Sequence, residues 1–414
     1  MNRSAIYICG TRWESAMKNL ITRWKYVLLF VIFQFTLSNG QSDSIFPVPD
    51  NLKDNVNFWI LIYTEISTHE GLIHDREYPL VIYRRINIGS LDGKRLDRFL
   101  ESSKFEIKNA IINVRSAPRS QWGKLEFEIY ESFKNLPAAA LDSAENRIRF
   151  QQGQKENFIE GLERSGAYID SIKAILSQYG LPQKLAFIPH VESSFNPEAF
   201  SKAGAAGIWQ FMPQTAKGFL KINRIYDERM DPILSTIAAA RLLSKNYRIL
   251  KSWPLTITSY NYGINGILRA VQSCGTKDLG VIIVKHDSPI FRFASKNFYS
   301  CFLAASEVAQ NYDKYFSIIN FDKPLSIREV TLMSQMSVFD ICQSLGISEK
   351  YFFKLNPSFR PKALKFRYRI PVGSTIRIDK SLSPHLLNTR FRISKPFIAP
   401  ENSIKLKNDT SRFD

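Results

Sequence analysis

A single carboxylate, Glu192, stands at the end of an apolar stretch that carries Leu185, Ile188 and Val191. Burial among such side chains favours the neutral carboxyl over the carboxylate. A carboxyl kept protonated near neutral pH is what a general acid for glycosidic cleavage needs. Spacing alone favours a plainer reading, an ordinary surface glutamate at a helix end. Glycosidases ordinarily use two carboxylates, and close to Glu192 in sequence there is only Glu198. Two further segments carry polar groups among apolar ones. The first runs from Ala203 to Ala216 and contains Gly204, Gly207, Trp209, Gln210 and Phe211. Its glycines permit close backbone approach. Gln210 offers an amide donor and acceptor, and the aromatics Trp209 and Phe211 read as core before they read as stacking platforms. The second is Ser259 to Gly263, with Tyr260 and Asn261. Neither segment supplies a second acid.

Other titratable groups read as structural. His69-Glu70 and His74-Asp75 do not have the i, i+4 spacing that stacks two imidazoles on one helical face, so no metal is expected. Asp227 and Asp231 read as helix caps. No cofactor is implied by any motif.

The elements that must hold these residues are mostly helical. Residues 146–320 show repeated helical stripes. Tyr168, Ile169, Ile172, Ile175, Leu176 and Tyr179 form one, ended by Gly180, with Pro182 expected to open the next helix. Further helices are expected over Ile233 to Leu250 and Ser295 to Tyr315. Asp322-Lys323-Pro324 breaks the pattern. Residues 325–380 then read as strand, helix, helix, strand: Glu329 to Met333, Ser337 to Leu345 ending at Gly346, Glu349 to Leu355 capped by Ser348, and Arg369 to Ile378. Residues 41–145 mix apolar runs with polar turns and read as a helical N-terminal region without evident chemistry. Residues 381–414 have no periodicity and read as a basic tail.

The chain has 414 residues, which suggests two to three domains at about 150 residues each. Its 44% apolar and 23% charged residues exclude wholesale disorder and fibrous classes. No apolar run reaches the length of a membrane span. Lys+Arg 56 against Asp+Glu 38 gives a net charge of +18 and points to an anionic partner. Lys18, Arg23 and Lys25 precede the apolar run Tyr26 to Leu37, and Ser38-Asn39-Gly40 follows. This order reads as a secretory signal peptide over 1–40, with Met17 as the expected start. An exported chain, periplasmic or associated peripherally with the envelope, argues against nucleic acid. Export also permits disulfides. Cys274 and Cys301 are the preferred pair, with two buried free thiols as the alternative.

Three motifs carry a family resemblance. Glu192-Ser193, Gly207-Ile208-Trp209-Gln210 and Tyr260-Asn261 stand in the order and spacing of the Glu-Ser, Gly-x-x-Gln and Tyr-Asn motifs. The link Asp227 to Pro232 matches as well. The region resembles the soluble-lytic-transglycosylase-like family, and most the membrane-bound lytic transglycosylase D type. The resemblance implies a mainly α, lysozyme-like catalytic domain acting on peptidoglycan glycan strands. It implies cleavage of the β-1,4 bond between N-acetylmuramic acid and N-acetylglucosamine with formation of a 1,6-anhydro ring. Glu192 would act first as acid and then as base. Gln210 would meet an N-acetyl group, Tyr260 would hydrogen-bond the catalytic carboxyl, Asn261 would position that carboxyl or the sugar, and Ser193 would contact the bridging region. Leu355-Asn356-Pro357 at a helix end and Ile370-Pro371-Val372-Gly373 in the last strand are the features by which residues 325–380 resemble a LysM module, a small α+β glycan binder. Read as an independent unit, it would be separable from cleavage of short soluble glycan. A lysozyme-type muramidase and a catalytically inactive cell-wall binding protein are the alternatives.

Overall fold

The apolar run at 57–63 has no polar face, and the fold gives it no solvent face. The structure is a computed structural model that describes residues 45–89, 91–382 and 390–394. The expected signal peptide, Met17 and most of the expected tail lie outside the described residues. Contacts divide the chain between Pro47 and Val48, and all the described helices and strands lie in the unit from Val48 onward. Helix Lys53–Thr64 buries Val56, Phe58, Trp59, Ile60, Ile62 and Tyr63. A helix apolar on most sides must be buried. This one lies against helix Phe293–Gln310. Two donors fix its register: Asn55 Nδ2 and Trp59 Nε1 both donate to Asn297 Oδ1, at 2.9 and 3.1 Å.

The region expected to be helical also contains a sheet. Strands Ile82–Asn87, Glu70–Asp75 and Ile148–Gln152 pair antiparallel in that order. The long amphipathic helix Gly93–Ser116 covers it with Ile107, Ala110, Ile111 and Val114. His74 is buried in the central strand, and its Nδ1 lies 2.9 Å from the Asp75 carbonyl oxygen. Asp75 pairs with buried Arg147 at 2.9 Å.

The helices after this sheet form the body. Helix Ile169–Gln178 ends as expected, with Gly180 at φ 66°. Pro182 precedes a 3₁₀ turn, Gln183–Phe187, as its cap rather than opening an α-helix. Helix Pro232–Leu250 starts one residue before the expected Ile233, where Asp231 accepts from the backbone N–H groups of Ile233 and Leu234. Helix Phe293–Gln310 is the central element. It buries Phe298, Tyr299, Cys301, Phe302, Leu303 and Val308, and it meets helices Lys53–Thr64, Ile188–Ser193 and Trp253–Tyr262.

The C-terminal module has the expected first strand and two helices, Ile327–Leu332, Val338–Leu345 and Glu349–Leu355. Gly346, at φ 64°, and Ser348 punctuate the two helices as expected. The strand expected over Arg369 to Ile378 is two. Pro371 lacks a ladder donor and Gly373 has φ 83°, so the chain turns there. Arg369–Ile370 then pairs with Met336–Ser337, and Thr375–Asp379 with Ile327–Leu332. A third helix, Pro361–Lys365, and a fifth strand, Phe391–Ile393, which pairs with Ile327–Leu332, complete the module. That strand corrects part of the tail reading, because its apolar anchor Phe391 is buried. The chain is mainly helical with small sheets.

Candidate active site

Glu192 is carried by the short helix Ile188–Ser193, whose first turn holds Pro189. The helix stops abruptly. Ser194 and Phe195 come next at φ 49° and 55°, two consecutive non-glycine residues in the left-handed region. Such backbone persists only where its surroundings hold it. Here Phe195 N–H donates to the Pro189 carbonyl at 3.1 Å. Arg164 Nε donates to the Ser194 carbonyl at 3.0 Å. Gly161 lets helix Lys155–Ser165 approach, since a β-carbon there would sit 3.1 Å from the Ser194 oxygen.

Glu192 is half-buried, with protein atoms packed closely around its carboxyl. Desolvation alone pushes its pKa up to about 8, and no neighbouring carboxylate contributes. Glu198 is exposed. His190, on the same helix, is no rival proton carrier. Burial takes its pKa down to about 3, and its ring stacks on Phe158 at 4.9 Å and meets Phe195 at 4.5 Å. Tyr260 and Cys301 lie within electrostatic reach of Glu192. Burial is the main cause that raises both of their pKa values, and the Glu192 charge adds to it.

The Gly207–Gln210 turn joins the three motifs. Gly207 has φ 76°, and a β-carbon there would lie 1.8 Å from the Arg229 carbonyl oxygen. Only glycine fits. Ser193 Oγ donates to the Ile208 carbonyl at 2.9 Å, and Tyr260 Oη donates to the Trp209 carbonyl at 2.8 Å. Trp209 is fully buried, as expected for core, and its Nε1 donates to Thr236 Oγ1 at 2.8 Å. Phe211 is buried too. Gln210, at φ 46°, donates from Nε2 to the carbonyls of Gly207 and Ala199, at 2.9 and 3.3 Å.

These bonds alter three expected roles. The Gln210 amide N–H groups are committed to backbone carbonyls, so its amide oxygen is the part left to meet a ligand. The Tyr260 proton goes to Trp209 and not to the Glu192 carboxyl. Ser193 bonds the turn that carries Gln210. Asn261 is exposed, and its Oδ1 accepts from Ser295 Oγ at 2.8 Å. The expected Cys274–Cys301 bridge is not formed. Cys301 is buried in the central helix, whereas Cys274 is partly exposed at the end of helix Ile264–Cys274, and both are free thiols.

Sequence reasoning missed Arg229. Its guanidinium is buried, pairs with Asp227 at 2.9 Å, and donates to the carbonyls of Gly204 and Phe211 at 2.7 and 3.0 Å. Both carbonyls flank the turn. The matching link from Asp227 to Pro232 was the available signal, but nothing in it shows that an arginine is buried. Tyr63 was missed as well; it reaches Cys301 from the N-terminal helix.

Residues 170–281 match the family described as the transglycosylase SLT domain. The chain is 30% identical over 188 residues to membrane-bound lytic murein transglycosylase D of Escherichia coli (strain K12), covering 45% of this chain and 41% of that protein. It is 35% identical over 116 residues to a putative tributyltin chloride resistance protein of Alteromonas sp. (strain M-1), covering 28% of this chain and 56% of that one. The chain thus spans under two thirds of the length of these relatives. Among solved structures, it is similar to an inactive mutant of the lytic transglycosylase Slt from Pseudomonas aeruginosa. There the identity is 16% and the TM-score 0.31, over 55% of this chain and 34% of that one. Glu192, the Gly207–Gln210 turn and Tyr260 all fall inside the span that matches the transglycosylase SLT domain.

Proposed function

We propose that the chain is a lytic transglycosylase acting on peptidoglycan. It cleaves the β-1,4 bond between N-acetylmuramic acid and N-acetylglucosamine and leaves 1,6-anhydromuramic acid ends. The observation that carries this reading is the lone carboxyl of Glu192, held protonated to about pH 8 by burial alone. At neutral pH this group donates its proton to the bridging oxygen as the bond to the muramyl C1 breaks. The resulting carboxylate takes the proton from the C6 hydroxyl of the same sugar, whose oxygen closes on C1. One group serves both steps, and the nucleophile is already part of the substrate. Its proximity removes most of the entropic barrier to attack. No second carboxylate is required.

The turn carbonyls gripped by Ser193 and Tyr260 fix Gln210 relative to Glu192, and the Gln210 amide oxygen accepts from an N-acetyl N–H. The strong positive charge of the chain suits an anionic wall. The C-terminal module binds N-acetylglucosamine-containing glycan in the manner of a LysM unit, and the protein works outside the cytoplasmic membrane. No helix among the described residues is long and apolar enough to cross a membrane.

Glu192→Gln tests the assignment. The amide keeps the shape and cannot deliver the proton, so glycan release from purified sacculi is lost while sacculus binding persists. Retained turnover would remove Glu192 from the reaction.

A further inference from the structure

We propose that the C-terminal module positions the catalytic turn, with Arg360 and Arg377 acting through Asp227 and Asp231. The inference deepens the transglycosylase reading and rests on it for the activity measurement alone. The segment from Ile225 to Asp231 lies in the catalytic half of the chain, yet Ile225 and Tyr226 pack into the apolar core of the module. Its backbone is bonded to the module at both edges. Asp227 N–H donates to the Ser358 carbonyl at 2.7 Å, and Arg360 N–H donates to the Ile225 carbonyl at 2.8 Å. Tyr226 meets the Phe359 ring at 4.8 Å and donates to Ser374 Oγ at 3.3 Å.

Two carboxylates inside this segment each face both ways. Asp227 accepts from Arg360 of the module at 2.9 Å and from Arg229 of its own segment at 2.9 Å. Arg229 in turn holds the Gly204 and Phe211 carbonyls, and its own carbonyl oxygen fills the space left by the missing Gly207 side chain. Asp231 accepts from Arg377 of the module on Oδ2, while Oδ1 caps helix Pro232–Leu250. That helix presents Thr236 to the Trp209 indole. One track therefore reaches the outer ends of the turn and the other reaches its middle.

These contacts are largely buried. Asp227, Arg229, Asp231 and Arg377 are each less than a tenth exposed. Removing one partner of a buried pair leaves a charge without compensation, and the structure around it must shift. A module joined this way is not a separable tether, so the expectation that cleavage of short glycan survives without it is reversed. Arg360 and Arg377 are positioning residues. They touch the turn only through Asp227 and Asp231.

Arg360 is the accessible handle, with its side chain about a third exposed. The full chain is compared with Arg360→Gln and the charge-retaining Arg360→Lys, and Arg377→Lys serves as a second site. Amide hydrogen exchange is followed alongside turnover of short soluble peptidoglycan chains. In Arg360→Gln, exchange over residues 204–211 rises about tenfold while helix Phe293–Gln310 keeps its protection. On the same variant kcat falls about tenfold with KM within about twofold, because a misplaced group loses rate before binding. Arg360→Lys recovers part of both. Unchanged exchange at 204–211, or a rise spread evenly over the chain, overturns the proposal. If the wild-type chain releases nothing from peptidoglycan, the activity reading fails, and exchange alone then decides the positioning role. If Arg360→Gln does not fold, the two lysine variants carry the same comparison.

Discussion

Ser193 and Tyr260 grip consecutive carbonyls of one turn, those of Ile208 and Trp209, from opposite motifs of the chain. The Glu192 helix and helix Trp253–Tyr262 are thereby fastened to the same short stretch of backbone. The next residue is Gln210. The three motifs meet through backbone acceptors, and none of their polar side chains bonds another directly.

This arrangement predicts coupling. Tyr260→Phe leaves the buried Trp209 carbonyl without its donor and should destabilise by about 1–3 kcal/mol. Ser193→Ala should lose about 1 kcal/mol, the net worth of one hydrogen bond. Because both act on one turn, the double variant should depart from additivity by at least about 0.5 kcal/mol. Denaturant unfolding of the four proteins measures this. Strict additivity would mean that the two contacts are independent.

The raised pKa of Glu192 makes a second prediction. The folded carboxyl titrates near 8, far above its ordinary 4.5. Between these values the folded protein holds a proton that the unfolded chain has released. Stability therefore falls as pH rises through that window, and the contribution is whole only below it. Glu192→Gln has no such titration. Its melting temperature should exceed that of the wild type at pH 8 by more than at pH 4. Thermal melts at the two pH values check this, and parallel behaviour of the two proteins would place the carboxyl in solvent. The rate should likewise fall as pH rises past about 8, as the acid form is lost.

Gly207 supplies a third. Gly207 and Gly275 both have left-handed backbone, at φ 76° and 65°, but only Gly207 has a neighbour in the way of a β-carbon. Gly275→Ala should cost about 1 kcal/mol, the conformational term. Gly207→Ala should cost that and the collision with the Arg229 carbonyl, about 3 kcal/mol or more in all. Equal losses in unfolding experiments would show that the close approach does not matter.

The free thiols give a fourth. Burial pushes the Cys301 thiol up and keeps it from reagent, whereas Cys274 is partly exposed. Alkylation of the native protein should label Cys274 well before Cys301, and denaturation without reductant should expose both. A mass consistent with a Cys274–Cys301 bridge would contradict the packing of the central helix.

The residues of the candidate site could be picked out in the sequence, and their hydrogen-bond partners could not. Glu192, Gly207, Gln210 and Tyr260 were marked by type and order. Helix ends at Gly180, Gly346 and Ser348 were marked by capping chemistry, which is local. The use of the Gln210 amide and the Tyr260 hydroxyl depends on which backbone carbonyl comes near, and motif spacing does not encode that. The strands Ile148–Gln152 and Phe391–Ile393 escaped because their partners are far away in sequence. A short strand with mixed residues has no periodicity of its own strong enough to read. The pairs of Arg360 with Asp227 and Arg377 with Asp231 join residues more than a hundred positions apart. Proximity in the chain favoured a cysteine bridge for the same reason that it hid these pairs, since sequence distance says little about which faces meet.

The central claim is that one carboxyl serves as acid and base while the substrate supplies its own nucleophile. The masses of the products released from purified sacculi test it most directly. Muropeptides lighter by one water than hydrolytic products, and absent with Glu192→Gln, are the predicted result. Reducing-end products of full mass would contradict it, because a water would then have attacked where the C6 hydroxyl is placed.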